Sequence, residues 1–190
     1  MDLVISDISN FNSIYLDMKT QFPESELNEY SVYHNLLLSA KYKLYLAKEN
    51  DEIIGYVLLC DLLEEKFLWI DYISVLKPFQ SRGYGHQIFK CLLAKYNTYK
   101  GVYLEVEKLD ENDINTVRRI KFYRSLGAEK LNIEYFYPNK SGCIPMDLYF
   151  LPISVERVPI ELTNNVIKII FDLIHSHHRH IQKVLNRIVV

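Results

Sequence analysis

The sequence predicts an α/β (α+β) fold: a mixed, mostly antiparallel sheet of about seven strands with helices on both faces, followed by a long C-terminal helix. Three observations predict it. Along 190 residues, strand-like and helix-like stretches succeed one another in the order β-αα-βββ-α-β-α-ββ. The strand–helix–strand stretch from Phe67 through Val106 is a crossover, which makes its two strands parallel. Hydrophobic residues make up 49% of the chain, enough to bury a real core, so a disordered tail or a stapled mini-protein is excluded.

Each element has its own signal. Leu3-Val4-Ile5-Ser6 is an apolar run ended by Asp7, a first strand. From Ile8 to Tyr33 apolar residues such as Phe11, Ile14, Tyr15 and Met18 recur at helical spacing. Pro23 interrupts them, and Glu24-Ser25-Glu26 reads as the acidic first turn of a second helix. Tyr42–Ala47, Ile53–Leu62 and Phe67–Leu76 are β-rich runs, parted by the Asn50-Asp51 turn and by Glu64-Glu65-Lys66, and they form an antiparallel meander. Pro78 stops the third run because it lacks the N–H a ladder needs. A helical pattern follows (Ile88, Leu92, Leu93, Tyr96), then the short strand Val102–Val106. Asp113 begins another helix, closed by Gly127. Strands around Ile133–Tyr137 and Met146–Leu151 complete the core.

Charge and cysteine usage exclude several function classes. Lys plus Arg number 22 against 24 Asp plus Glu, a net charge of -2, so no electrostatic footprint for nucleic acid or an anionic membrane exists. Cys60, Cys91 and Cys143 are far apart and read as reduced core thiols, not as a disulfide frame or zinc site. Met1–Asn10 does not read as a secretory signal, and no apolar stretch approaches the ~20 residues that cross a bilayer. A soluble, cytoplasmic protein without nucleic-acid or membrane partners is expected.

Between the third meander strand and the next helix stands Gln80-Ser81-Arg82-Gly83-Tyr84-Gly85. Without Cβ atoms, successive backbone N–H groups there can converge on one anion, helped by the positive end of the helix and by Arg82. By itself the pair of glycines is equally a tight turn. It is neither a dinucleotide fingerprint, lacking the third glycine, nor a P-loop, lacking Gly-Lys-Ser/Thr. In context, Ile73-Ser-Val-Leu-Lys-Pro-Phe-Gln80-Ser-Arg-Gly83-Tyr-Gly85 resembles motif A of the GNAT (Gcn5-related) N-acetyltransferases, Gln/Arg-x-x-Gly-x-Gly/Ala. The preceding meander and the later Phe122-Tyr123-Arg-Ser-Leu-Gly127 resemble that family's neighbouring elements. By element order the resemblance covers residues 1–152, an acetyltransferase domain, and leaves 153–190 as a C-terminal helical extension.

The resemblance implies acetyl-CoA as co-substrate, with no metal, lying in a V-shaped opening between the strands Phe67–Leu76 and Val102–Val106. Ile73 and Val75 would bond the pantetheine arm through their main chains, and N–H groups from Ser81 to His86 would hold the pyrophosphate. The implied cofactor-binding set is Ile73, Ser74, Val75, Gln80, Ser81, Arg82, Gly83, Tyr84, Gly85 and His86. Tyr123, four residues before Gly127, stands where the family places its thiolate-protonating tyrosine, and a phenol suits that task because it stays protonated at neutral pH. Tyr123 is also spaced like a core residue. As bases, Asp71 shares strand parity with Ile73 and Val75, while Glu105 and Glu107 lie on the opposing strand. A carboxylate inside an apolar strand is costly unless paired or working. One departure matters: where many members carry Asn and Ala ahead of the tyrosine, this chain has Thr116 and Arg119, with Asn112 and Asn115 out of register.

The acceptor would be an amine, bound by Phe22–Tyr30 and Tyr135–Tyr137, whose glutamates and aromatics suit a cation. A non-catalytic acyl-CoA-binding or partner-binding protein of the same fold is the alternative, and a peptide N-terminus a further acceptor class. From Leu162 to Val190 the stripe Val166, Ile170, Leu173, Ile181, Val184 or Leu185, Ile188 reads as one amphipathic helix. Its seam must be buried on the chain's own sheet or in a homodimer, which is favoured. His175, His177, His178 and His180 read as a solvated or pH-responsive patch, not a metal site.

Overall fold

In the computed structural model, which describes residues 1–189, β1 (Asp2–Ser6) leads into α1 (Phe11–Gln21), whose buried residues are Phe11, Ile14 and Met18. α2 (Tyr30–Leu37) buries Tyr33 and Leu36. The acidic run does not open α2. Glu24–Glu26 is a separate 3-10 turn, after which Leu27 leaves helical geometry at φ −102° and ψ 133°. The hydroxyls of Tyr72 and Tyr137 both donate to the Glu26 carbonyl, the latter at 2.8 Å, and this pinning ends the turn before a helix can grow.

β2 (Tyr42–Glu49), β3 (Glu52–Leu62) and β4 (Phe67–Val75) form the antiparallel meander, with β1 antiparallel outside β2. α3 (Tyr84–Lys95) crosses to β5 (Gly101–Glu107), which pairs parallel with β4. α4 (Ile114–Ser125), β6 (Glu129–Lys130), β7 (Tyr135–Asn139) and β8 (Gly142–Pro152) follow. The sheet has eight strands rather than about seven, in the order β1-β2-β3-β4-β5-β8-β6, with β7 also paired to β8. The extra strand, β6, is two residues long and has no period to read. It forms because β8 spans 11 residues, pairing with β7 at its start and β6 near its end.

Helices cover both faces. Residues of α1 and α2 share one apolar cluster with Trp69 and Tyr103, and residues of α3 and α4 share the other with Leu68 and Ile70. The expected single C-terminal helix is two, α5 (Ile160–Ile174) and α6 (Ile181–Ile188), while Val190 lies outside the described residues. Turn hydrogen bonds from His178 N to His175 O (3.0 Å) and Ile181 N to His178 O (3.1 Å) redirect the chain. The break returns Val184, Leu185 and Ile188 to the cluster that already holds Ile167, Ile170 and Phe171. Most of the stripe is therefore buried within the chain itself, on its own core rather than against a second copy. The histidine patch is only partly solvated: His175 is 0% and His178 7% exposed, with the His175 ring edge-on to Tyr137 and Phe171, while His177 is exposed. No helix of the described residues is long and apolar enough to cross a membrane.

Candidate active site

β4 and β5 pair from Phe67–Gly101 to Ile70–Leu104 and then part. β4 runs on to Val75 along β3, and β5 runs on to Glu107 along β8, so a gap opens through the sheet. The Ser74 carbonyl faces β3, 2.4 Å from where a Cβ on Gly55 would stand, which only glycine permits. The Val75 carbonyl faces the gap instead, where the side-chain amides of Gln80 (3.0 Å) and Gln21 (3.4 Å) donate to it. Ile73, two residues earlier, presents its main chain to the same side. Two side chains thus occupy the position from which an added strand would donate.

Beyond Val75 the chain turns through the glycine corner into α3. Ser81 has φ +62° and Gly83 φ +82°, a left-handed alternation that gathers N–H groups on one side. Gly83 caps α3 without any side-chain hydrogen bond, so the first-turn donors of Tyr84, Gly85 and His86 stay open toward an anion. The Phe122 ring lies 3.2 Å from where a Cβ on Gly85 would stand, which keeps the corner shallow. His86 packs edge-on against Phe122 and its Nε2 meets Ser125 Oγ at 3.0 Å, tying α3 to α4. A trough runs along this surface in two sections of about 370 and 230 Å³. Val75, Gln80, Ser81, Gly83, Tyr84, Gly85 and His86 line the first; Ile73, Ser74, Val75, Gln80 and Gly85 line the second. Of the expected set only Arg82 stands outside it, its guanidinium 6.0 Å above the Phe79 ring.

The trough meets a chamber of about 60 Å³ in the gap itself, and here the three expected catalytic side chains come together: Tyr123, Asp71 and Glu105 all line it. Tyr123 reaches it from α4, where it is 7% exposed, and burial pushes its hydroxyl up to about 12, so it is protonated at neutral pH. Asp71 arrives differently from the parity argument. Ile70 pairs with Leu59 and Tyr72 with Leu58, so Asp71 is the extra residue of a β-bulge. The bulge turns it to the opposite face from Ile73 and Val75, where the Tyr42 hydroxyl donates to Oδ2 and Oδ1 is buried without a partner. Burial pushes its pKa up to about 7. Glu105 accepts hydrogen bonds from Tyr135 and from Trp69 Nε1 (3.2 Å), while burial and the nearby Asp71 charge push it up to about 8.

Other chamber residues come from the expected acceptor segments (Phe22, Glu26 and Tyr137) and from the base candidate Glu107, whereas Tyr72 and Met146 carried no signal in the sequence. Glu26 is raised to about 6 by burial and by Glu107, opposed by Arg119. Glu107 pairs with Arg119 across β5 and α4. Phe22, Tyr72, Tyr137 and Met146 complete much of the wall. Thr116, at the departed asparagine position, points away into structure: its hydroxyl donates to Asp110 O at 2.8 Å and holds the β5–α4 loop. Past Glu26 and Tyr137 the chamber adjoins a pocket of about 250 Å³, lined also by Glu24, Ser25 and His178. Among the described residues no group of His, Cys, Asp or Glu is arranged to hold a metal ion.

The sequence profile of the acetyltransferase (GNAT) family matches residues 10–128. YjbC of Bacillus subtilis (strain 168), a protein named provisionally as an acetyltransferase, is 28% identical over 110 residues, 58% of this chain and 53% of that protein. The match thus spans about half the length of that relative. A GNAT-family protein from Bacteroides thetaiotaomicron superposes with a TM-score of 0.73 at 18% identity, over 92% of this chain and 98% of that one. A GNAT family acetyltransferase from Elizabethkingia anophelis, solved with acetyl-CoA bound, superposes with a TM-score of 0.56 at 19% identity, over 79% and 96%. At these identities the structures show the shared fold. With a gapped β4–β5 pair, a glycine corner opening α3 and a family profile over more than half its length, the chain belongs to the GNAT acetyltransferase family.

Proposed function

We propose that this protein transfers an acetyl group from acetyl-CoA directly to a primary amine, on a small molecule or a protein. One observation carries the reading: the gap between β4 and β5 joins the open-donor corner at Gly83–His86 to a chamber in which Tyr123, Asp71 and Glu105 converge. The diphosphate binds the N–H groups of the corner, and the pantetheine arm replaces the Gln80 and Gln21 amides along Val75 as a pseudo-strand. This sets the thioester in the chamber beside Tyr123. The amine enters from the opposite face of the sheet, past Glu26 and Tyr137. The Glu26 and Asp71 carboxylates and the aromatics Phe22, Tyr72 and Tyr137 favour a cationic acceptor.

Attack requires a neutral amine. Asp71, with its pKa near 7 and one oxygen free, accepts a proton at neutral pH, whereas Glu105 at about 8 holds its own. The main-chain donors beside Val75 polarise the thioester carbonyl, and Tyr123 donates its proton to the departing sulfur. Acetyl-CoA-dependent thiol release, followed with panels of amines, antibiotics and peptides, tests the reading. An acceptor is expected among the polyvalent amines. Release with no panel member, together with no measurable CoA binding, would refute it. Loss of Glu24 and Glu26 charge by substitution to Gln is expected to raise KM for cationic acceptors, and an unchanged KM would remove the cationic preference.

A further inference from the structure

We infer that Arg119 stabilises the negative charge on the sulfur of the departing thiolate, so that cleavage of the C–S bond does not rest on Tyr123 alone. The inference depends on the transferase reading and adds to it a side chain that stands where the family pattern has alanine.

Four residues line both the chamber and the adjoining section of the trough: Phe22, Ile73, Arg119 and Tyr123. They form the neck between the two, through which a thioester on a pantetheine arm must pass. Two of the four are apolar, one is the phenol, and one is a guanidinium. Arg119 and Tyr123 are four apart on α4, so they lie on one face of that helix. The rest of the chamber is acidic: Glu26, Asp71, Glu105 and Glu107 line it, and Arg119 is the one cation among its described lining residues. Glu107 borders the chamber alone, whereas Arg119, its ion-pair partner, borders the trough as well. The pair therefore points its positive end at the neck. About two-fifths of the Arg119 side chain remains exposed, and only Nη1 is engaged by Glu107, which leaves donors available.

The chemistry needs such a charge. The amine nitrogen bonds the thioester carbon, whose carbonyl electrons move to oxygen. When the carbonyl re-forms, the C–S electron pair leaves on sulfur. Sulfur then takes the Tyr123 proton, and the phenolate recovers one from the proton lost by nitrogen, passed on from Asp71 through solvent. Between cleavage and proton transfer the sulfur is an anion beside the Glu26 and Glu107 carboxylates, and like charges disfavour it. The Arg119 guanidinium at the neck offsets that repulsion.

The thiol of bound CoA reports the effect without turnover. CoA at saturation is titrated by its thiolate ultraviolet absorbance from acid to alkaline pH, with desulfo-CoA as background. A free cysteine thiol titrates near 8.5, and an alkyl thiol such as that of CoA higher still. The thiol pKa in wild type is expected to lie about 1–3 units below that in Arg119→Gln, the range one adjacent opposite charge produces. Arg119→Lys should fall between. Glu107→Gln separates electrostatics from architecture, because it breaks the same ion pair yet leaves the positive charge: the thiol pKa should drop below wild type. An unchanged value in Arg119→Gln, or a shift in the same direction for Arg119→Gln and Glu107→Gln, overturns the inference. If Arg119→Gln does not fold, Glu107→Gln decides alone, and a thiol pKa equal to or above wild type overturns it. Failure of wild type to bind CoA would instead remove the transferase reading, and the inference with it.

Discussion

Replacing Glu105 with Gln isolates the charge on the chamber wall. In the folded protein this carboxyl keeps its proton up to about 8, whereas its ordinary value is 4.5. Between those values the folded state binds more protons than the unfolded chain, so stability falls as pH rises. The favourable contribution is whole below about 4.5 and lost above about 8. The shift of roughly 3.5 units corresponds to an upper bound of about 5 kcal/mol at about 1.4 kcal/mol per unit. The side chain is only partly shielded from solvent, and it shares its field with Asp71, so less than half of that, about 2 kcal/mol, is expected. Gln has no proton to lose, and its amide still offers an acceptor to Trp69 and a donor to Tyr135. Melting curves at half-unit steps from pH 5 to pH 9 should therefore show a Tm difference, Glu105→Gln minus wild type, that climbs by about 4–8 °C across the range. A difference that stays flat with pH would refute the burial argument and remove the basis for treating Glu105 as protonated at neutral pH.

Three further outcomes are expected. Tyr123→Phe should lower kcat by about 10²-fold or more with CoA affinity unchanged by calorimetry; full activity would favour a binding protein over a catalyst, or an acid other than Tyr123. Gly83→Val forces a β-branched residue to φ +82°, at a cost of about 1–2 kcal/mol, and should weaken CoA binding measured by titration calorimetry, since the corner donors lose their alignment. His175→Phe keeps the edge-on contacts to Tyr137 and Phe171 while removing two buried nitrogens that have no partner, so it should stabilise by about 1–2 kcal/mol and raise Tm by about 3–6 °C.

The C-terminal segment shows how a correct pattern can still mislead about placement. Its apolar stripe is real, and every stripe residue but Leu173 and Ile181 is buried. A stripe states that a face must be covered, not by what. Only the packing of α6 against β7 and α5 decides that the chain turns at His175–His180 and covers the stripe itself. The burial of His175 follows from the same turn, and nothing in four nearby histidines announces it.

What the residues determined alone was local: the element order, the strand stop at Pro78, the left-handed corner at Gly83, and the register of Tyr123 against Gly127. Each depends on backbone geometry within a few positions, so it can be read from neighbours in the chain. Tertiary packing alone decided that Asp71 sits on a bulge facing Tyr42, that Arg119 meets Glu107 at the neck, and that Glu26 is pinned beside them by Tyr72 and Tyr137. Those contacts join residues from distant strands and helices across a gap in the sheet. Their charges and burial arise only when the elements assemble, because a dielectric environment is a property of the packed neighbourhood and not of any stretch of sequence.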